Sequence, residues 1–153
     1  AVYNLNQLSK KQAKQFTAVL KSLAKGQLPW KVAILIDSTI EHRSSLHTDN
    51  VNRFNHGKGF QIGHQWTNVV LIINDKLIPL LPIPFYTKGY CRQHSLKYQT
   101  ENALVVEYID QLNLQDYIGA HDPKQVVVLA DSGYDDRKIQ KAIIKKNGIL
   151  SLP

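Results

Sequence analysis

The chain has 153 residues, of which 43% are hydrophobic and 20% charged, and this composition predicts one folded domain rather than a disordered segment. No apolar run approaches the roughly 20 residues of a membrane-spanning helix, and a single cysteine, Cys91, excludes an internal disulfide and a cysteine-rich zinc site. The net charge of +7 favours nucleic acid as a partner, with plain surface solubility as the alternative explanation.

The first predicted element is a helix over about residues 9–25. A serine and a glutamine stand there at capping-box spacing, apolar residues recur with helical periodicity, and Gly26 is a stop signal. The run Val32–Ile36 is continuously apolar, which is typical of a strand buried on both faces. This predicted strand ends on an acidic residue, Asp37.

The next segment, residues 41–64, is polar and rich in His, Asn and Gly. It predicts either a long functional loop or a pair of short irregular strands. A hairpin follows, with Trp66–Ile73 as one strand and Leu77–Phe85 as its partner. Three prolines in the second strand cannot donate ladder hydrogen bonds, so this strand is predicted to lie at the edge of the sheet.

The last third of the chain alternates helices and strands. A helix is predicted within Ser95–Leu114, a strand at Val126–Ala130, a helix over about residues 135–147, and a fifth strand at Ile149–Leu152. The strand at Val126–Ala130 ends on Asp131, as the first strand ends on Asp37. The whole order predicts three antiparallel strands followed by strands that are reached through helical crossovers.

The two acids that follow strands are the candidate site. Short right-handed crossovers make the strands before Asp37 and Asp131 parallel neighbours, so both carboxylates are expected at the same edge of the sheet. Two close carboxylates repel each other unless a cation lies between them, and Mg²⁺ prefers such oxygen ligands. The alternative is structural, because an aspartate after a strand is often a turn residue or a helix cap. Asp135 and Asp136 are interpreted as caps of the following helix.

The stretches "LIDSTI" and "LADSGYDD", with a hairpin and a helix between them, resemble the first and second catalytic-acid motifs of DDE-type insertion-sequence transposases. The resemblance covers about Val32–Leu152. It implies an α/β fold, an RNase H-like mixed sheet of five strands flanked by helices. It also implies that Asp37 and Asp131 are catalytic residues that bind Mg²⁺ or Mn²⁺, with two ions in the complete enzyme.

The same resemblance implies a function and a cellular setting. The reaction is cleavage and transfer of DNA strands, the partners are transposon ends and target DNA, and the expected compartment is the cytoplasm at the nucleoid, with no membrane. Whether the protein forms a homo-oligomer stays open. Candidate DNA-binding residues, chosen for positive charge in the polar segment beside the aromatic Trp66, are Arg43, Arg53, His56 and Lys58.

The family places a third acid, usually a glutamate, on a helix beyond the fifth strand, and no acid follows Asp136 in this sequence. Residues 1–153 are therefore expected to form one transposase core, truncated at the fifth strand and inactive by itself. Glu101 and Glu107 are alternatives for an acid that reaches the site from the second helix. A non-catalytic DNA-binding remnant is the alternative function. A phosphatase with an aspartate nucleophile fits less well, because Thr39 stands where that class has a second aspartate.

Overall fold

A computed structural model of the chain describes residues 32–56, 59–74, 76–118, 126–146 and 148–151. The predicted N-terminal helix, about residues 9–25, lies outside the described residues. The strands are β1 (Val32–His42), β2 (Asn52–His56), β3 (Gly59–Ile73), β4 (Lys76–Pro79), β5 (Ile83–Pro84), β6 (Val126–Ala130) and β7 (Gly148–Ser151). The helices are α1 (Lys88–Gln93), α2 (Glu101–Gln111), α3 (Gln115–Ile118) and α4 (Arg137–Lys145), and a short 3-10 helix spans Ser132–Tyr134.

The strands form one mixed sheet in the order β2-β3-β1-β6-β7, and β4 and β5 also pair with β3. β1 is antiparallel to β3 and parallel to β6, and β6 is parallel to β7. The predicted parallel pairing of the first strand with Val126–Ala130 is confirmed. The register sets Ile36 opposite Ala130, so each candidate aspartate comes directly after the last parallel pair.

The prediction of five strands is wrong, because the described residues contain seven. One addition is β2, which pairs with the first residues of β3 inside the polar segment. This hairpin extends away from the core, and the guanidinium of Arg53 lies 3.4 Å from the ring centroid of Phe60. The described side chains of β2 are half-buried or exposed, and the hydrophobic alternation that identifies a half-buried strand is missing.

The other addition comes from the predicted strand Leu77–Phe85, which is two strands, β4 and β5. Pro82 lies between them and has no N–H with which to continue the ladder. Among the described residues both strands pair with β3 only, as expected for proline-containing strands at an edge.

The core lies between one face of the sheet and the helices α2 and α4. Alternate residues of the three central strands point to this face, so every second residue of their apolar runs is buried and the residues between are half-buried or exposed. The buried side chains of the central strands and the two helices are Val32, Ile34, Ile36, Val69, Leu71, Ile73, Val126, Val128, Ala130, Val105, Ile109, Ile139, Ala142 and Ile143.

Helix boundaries follow their capping residues. Thr100 caps α2 by accepting from the backbone N–H of Ala103 at 3.3 Å, so α2 begins later than the sequence pattern predicts. Asp136 caps α4 by accepting from the N–H of Lys138 at 2.7 Å, as predicted for a cap. At the opposite end of α2, the Lys146 ammonium donates to the carbonyl oxygens of Asp110 and Leu112 and satisfies two terminal acceptors.

The second face of the sheet carries the other set of alternating side chains. Leu35 on β1 is 38% exposed and Ile149 on β7 is 54% exposed. Asp37 follows Leu35 by two residues and so belongs to this face. None of the helices within the described residues is long and apolar enough to cross a membrane.

Candidate functional site

The site is built at the carboxyl ends of the two central parallel strands. Asp37 continues β1 one residue beyond Ile36, and Asp131 follows Ala130, the last residue of β6. Both aspartates are exposed. Because β1 and β6 are hydrogen-bonded neighbours in parallel register, their ends bring the two acids to one edge of the sheet, as the sequence predicts.

Both aspartates line one open pocket of about 400 Å³. The pocket is lined by Leu35, Ile36, Asp37, Leu129, Ala130, Asp131 and Ser151. Its polar side chains offer only oxygen atoms, which are the donors that hard divalent cations prefer. The pocket also has room for several water molecules, which Mg²⁺ usually keeps in its coordination shell. The donor chemistry at this edge therefore fits a divalent cation.

The carboxylate of Asp131 has a structural task as well. Its Oδ1 accepts from the backbone N–H of Gly133 at 2.7 Å and caps the 3-10 helix. A Cβ at position 133 would lie 2.9 Å from this oxygen, so glycine allows the close approach. The interpretation of Asp131 as a turn residue is thus correct for one oxygen. Within the described residues, Oδ2 of Asp131 and the carboxylate of Asp37 make no hydrogen bond, which leaves them open to a ligand.

Glu101, the first residue of α2, is the centre of a hydrogen-bond network on the core face. Its Oε1 accepts from the Thr67 hydroxyl at 2.9 Å and from the Tyr134 hydroxyl at 2.7 Å, and its Oε2 accepts from the Gln65 amide at 2.6 Å. Burial and the hydrogen bond to Glu101 raise the pKa of the Tyr134 phenol. Glu101 thereby joins β3 and α2 to the turn that follows Asp131, and we assign it as a positioning residue.

From the sequence, Glu101 and Glu107 were alternatives for an acid that reaches the site from the second predicted helix. Both oxygens of Glu101 are engaged on the core face, whereas Asp37 lies on the opposite face of β1. Glu107 is exposed and accepts from Gln99 and Gln111. In the part of the chain that the structure describes, no three His, Cys, Asp or Glu side chains are grouped to hold a metal ion. The described residues thus bring together two acids, not three.

The network around Glu101 was missed by sequence reasoning, because its members are about 33–36 residues apart and no local spacing links them. A weak signal was present in the motif "DSGY". Its tyrosine sits in a turn three residues after the capping aspartate, yet Tyr134 is buried. A buried tyrosine hydroxyl normally has a hydrogen-bond partner, which is here a carboxylate on another element.

Of the two acids after Asp131 that were interpreted as caps of the following helix, Asp136 is the cap and Asp135 is not. Asp136 caps α4, and the hydrogen bond from the Lys138 N–H lowers the pKa of the Asp136 carboxyl group. Asp135 accepts from the side-chain amide of Gln140 at 2.8 Å. These contacts direct both carboxylates toward the first turns of α4.

The predicted DNA-binding residues are spread along β1 and the β2–β3 hairpin. Arg43 lies just beyond β1, forms an ion pair with Glu41 at 2.8 Å and donates to Nδ1 of His64 at 3.2 Å. Arg53 is exposed and covers Phe60. His56 ends β2, where it is paired with Gly59, and Lys58 lies outside the described residues. Trp66 lies on β3, between Thr39 of β1 and Pro84 of β5.

Arg43 is six residues beyond Asp37 along an extended chain, a separation of roughly 20 Å. The predicted basic residues that the structure describes are therefore displaced from the acidic pair along β1. Comparison of the chain with protein-family models, with curated proteins and with solved structures finds no match.

Proposed function

We propose that the domain is the core of a DDE-type transposase catalytic domain, which cleaves and transfers DNA strands with the help of divalent metal ions. The observation that carries this proposal is the pair of exposed aspartates at the ends of adjacent parallel strands, lining one open pocket. Antiparallel strands that lead into parallel ones, with helices packed on the sheet, support assignment to the RNase H-like class. Within this proposal the partner is DNA and the setting is the cytoplasm, at the nucleoid.

Asp37 and Asp131 would hold the metal, through carboxylate oxygens that face the pocket. Bound Mg²⁺ or Mn²⁺ would supply Lewis-acid activation of the attacking oxygen and stabilisation of the leaving oxygen. The protein's own contribution is orientation. The Gly133 N–H fixes Asp131, and the Glu101 network fixes the turn that follows it. Fixed geometry matters because a displacement of about 1 Å in such a site can cost 10²-fold in rate.

The first test is metal binding by the whole chain. Titration with Mn²⁺, followed by electron paramagnetic resonance, should give weaker binding for Asp37→Asn and for Asp131→Asn. The expected loss is on the order of tenfold or more, because the loss of an outer-shell partner alone costs that much at other metal sites. Asp116→Asn is the matched control, since Asp116 is an exposed aspartate on α3, away from the pocket. Equal affinities for wild type and Asp37→Asn would overturn the metal site.

The second test separates an enzyme from a non-catalytic DNA-binding remnant. The grouping of only two acids among the described residues is the observation that favours the remnant. Supercoiled plasmid is incubated with the protein and Mn²⁺, and nicked circles are measured together with DNA binding. Nicking that is lost in Asp131→Asn supports the enzyme. DNA binding with neither nicking nor Asp37-dependent Mn²⁺ binding supports the remnant and overturns the catalytic proposal, whereas Mn²⁺ binding without nicking is the result expected of a core that brings together two acids instead of three.

A further inference from the structure

The segment between β5 and α2 carries aromatic rings that are stacked at the surface. The rings of Tyr86 and Tyr90 are 5.3 Å apart between centroids at an interplanar angle of 12°, and the His94 ring is 4.1 Å from that of Tyr90. The two tyrosines are half-buried and His94 is exposed. None of these three residues belongs to the hydrophobic core. We call this row of rings, Tyr86, Tyr90 and His94, the aromatic platform.

The segment that carries the aromatic platform also carries positive charge. Lys88, Arg92 and Lys97 are exposed, and the ammonium group of Lys88 lies 5.2 Å from the ring centroid of Tyr98. The sequence contains no Asp or Glu between Lys76 and Thr100, so these cations have no acidic neighbour on their own segment. The segment is therefore cationic, with exposed basic side chains interspersed among the aromatic residues along the chain.

The platform is held in place by a contact from a distant part of the chain. The Asn50 amide donates to the Phe85 carbonyl oxygen at 2.9 Å, and its Oδ1 accepts from the Thr87 N–H at 2.9 Å. Thr87 in turn caps α1 by accepting from the Tyr90 N–H at 3.2 Å. These hydrogen bonds fix the start of the helix that carries the rings, so a ligand meets a preformed surface and less ordering entropy opposes binding.

The platform also lies at the same end of the sheet as the acidic pair. At the start of the segment, the Phe85 N–H donates to the carbonyl oxygen of Gln65 on β3. At its end, Glu101 accepts from the side-chain amide of the same Gln65. Both ends of the segment therefore contact β3 at one residue. Asp37 is paired with Asn68, three residues further along β3. β5 lies two strands from β1, a distance of about 10 Å in the hydrogen-bonding direction.

We propose that the aromatic platform binds unpaired bases of the DNA strand whose phosphate occupies the Asp37–Asp131 pocket. Aromatic rings stack with any base face, and neighbouring lysines and arginines hold the phosphates, which is how proteins bind single strands without sequence preference. Paired bases in a duplex do not expose these faces, so the platform selects frayed or single-stranded DNA. This inference rests on the proposed function in taking DNA as the partner, and it adds which part of the DNA is held.

The test compares a 12-nucleotide oligothymidine with an abasic strand of equal length, using fluorescence anisotropy and the full chain. The base-bearing strand should bind about tenfold more tightly, because stacking distinguishes the two strands while their phosphates are equal. The pair Tyr90→Leu and His94→Leu should remove this preference, and the pair Tyr90→Phe and His94→Phe should retain it. Tyr117→Leu, at a tyrosine on α3 outside the aromatic platform, is the control, and melting curves check that every variant is folded.

Charge is tested separately with Arg92→Gln combined with Lys97→Gln. This pair should weaken binding of both strands and should reduce the slope of log K against log salt by about 1.4, since each phosphate contact to a single strand contributes about 0.7. Equal affinity for base-bearing and abasic strands would overturn the proposal, and so would an undiminished preference in the leucine pair of variants.

The proposal for the aromatic platform can fail or succeed independently of the proposed function. Asp37→Asn should leave the base preference unchanged, because that preference requires no metal. Base-dependent binding without Mn²⁺ binding would retain the platform and reject the catalytic site. Mn²⁺-dependent nicking without any base preference would retain the catalytic site and reject the platform.

Discussion

At the residue scale, Glu101 supports the turn that follows Asp131 without lining the pocket itself. Its two oxygens accept three hydrogen bonds, from β3 and from the turn after Asp131. Thr67 and Tyr134 are both buried, at 2% and 3% exposure. Their hydroxyl groups therefore share in Glu101 a carboxylate acceptor that water cannot easily replace.

Replacement of Glu101 by alanine is expected to lower the free energy of unfolding by about 1–3 kcal/mol, because buried hydroxyl groups lose their acceptor. Glu107→Ala is the matched control. It lies on the same helix, is exposed, and should change stability by no more than about 0.5 kcal/mol. Urea denaturation of the two variants gives the comparison. Equal midpoints would show that the network around Glu101 contributes no net stability.

At the scale of elements, β3 is the longest strand and organises the rest of the sheet. It pairs with β1 on one edge and with β4 and β5 on the other, and its first residues pair with β2. Gly63 is the residue where β1 and β2 both reach β3, opposite His42 and Asn52. A Cβ at this position would overlap the carbonyl oxygen of Glu41, so only glycine fits without moving the β1 backbone.

Gly63→Ala is expected to destabilise the domain by about 1–3 kcal/mol, the usual cost of overpacking, because the clash is with backbone rather than with a flexible side chain. Gly59→Ala is its control on the same strand, where an added Cβ meets no atom within 4 Å. Thermal melting of both variants measures the difference. A melting temperature for Gly63→Ala that matches that of Gly59→Ala would contradict the tight β1–β3 contact.

What could be predicted from the sequence differs between elements for physical reasons. β1 and β6 were predicted because strands inside a sheet are continuously apolar, and their parallel pairing was expected because the chain returns to the sheet through a helix before β6. β2 was expected only as one of two alternatives for residues 41–64, because its sequence has no hydrophobic alternation. α1 has six residues and one buried side chain, Cys91, so it leaves no amphipathic pattern. Cys91 is a free, buried thiol.

In the candidate site, too, some features could be predicted from the sequence and others could not. The placement of Asp37 and Asp131 was predicted from the local sequence pattern, in which an apolar run ends on an acidic residue. The capping role of Asp131 was foreseen only as an alternative, and one of its oxygens does cap a turn. Neither the Glu101 network nor the hydrogen bond from the Thr87 N–H to Asn50 was predictable, because both join residues that are more than 30 positions apart.

At the scale of the whole molecule, several phenols are coupled to folding. Burial raises the pKa values of Tyr108 and Tyr134 well above the ordinary value of 10.0, and it also raises those of Tyr86 and Tyr117. Between pH 10 and these raised values, the folded state keeps protons that the unfolded chain has released. The folded state then binds more protons than the unfolded state, so stability must fall as the pH rises.

The free energy of unfolding is therefore expected to be independent of these phenols below pH 10 and to decline above it. Each fully shifted phenol adds a slope of up to about 1.4 kcal/mol per pH unit. Tyr134→Phe removes one such group and should make the decline between pH 10 and 11 shallower, and the double variant Tyr108→Phe with Tyr134→Phe should make it shallower still. Urea melts at successive pH values measure the slope, which is compared between variants so that a constant change in stability from the lost hydroxyl cancels. An identical slope in wild type and in the double variant would show that these phenols titrate alike in the folded and unfolded chain.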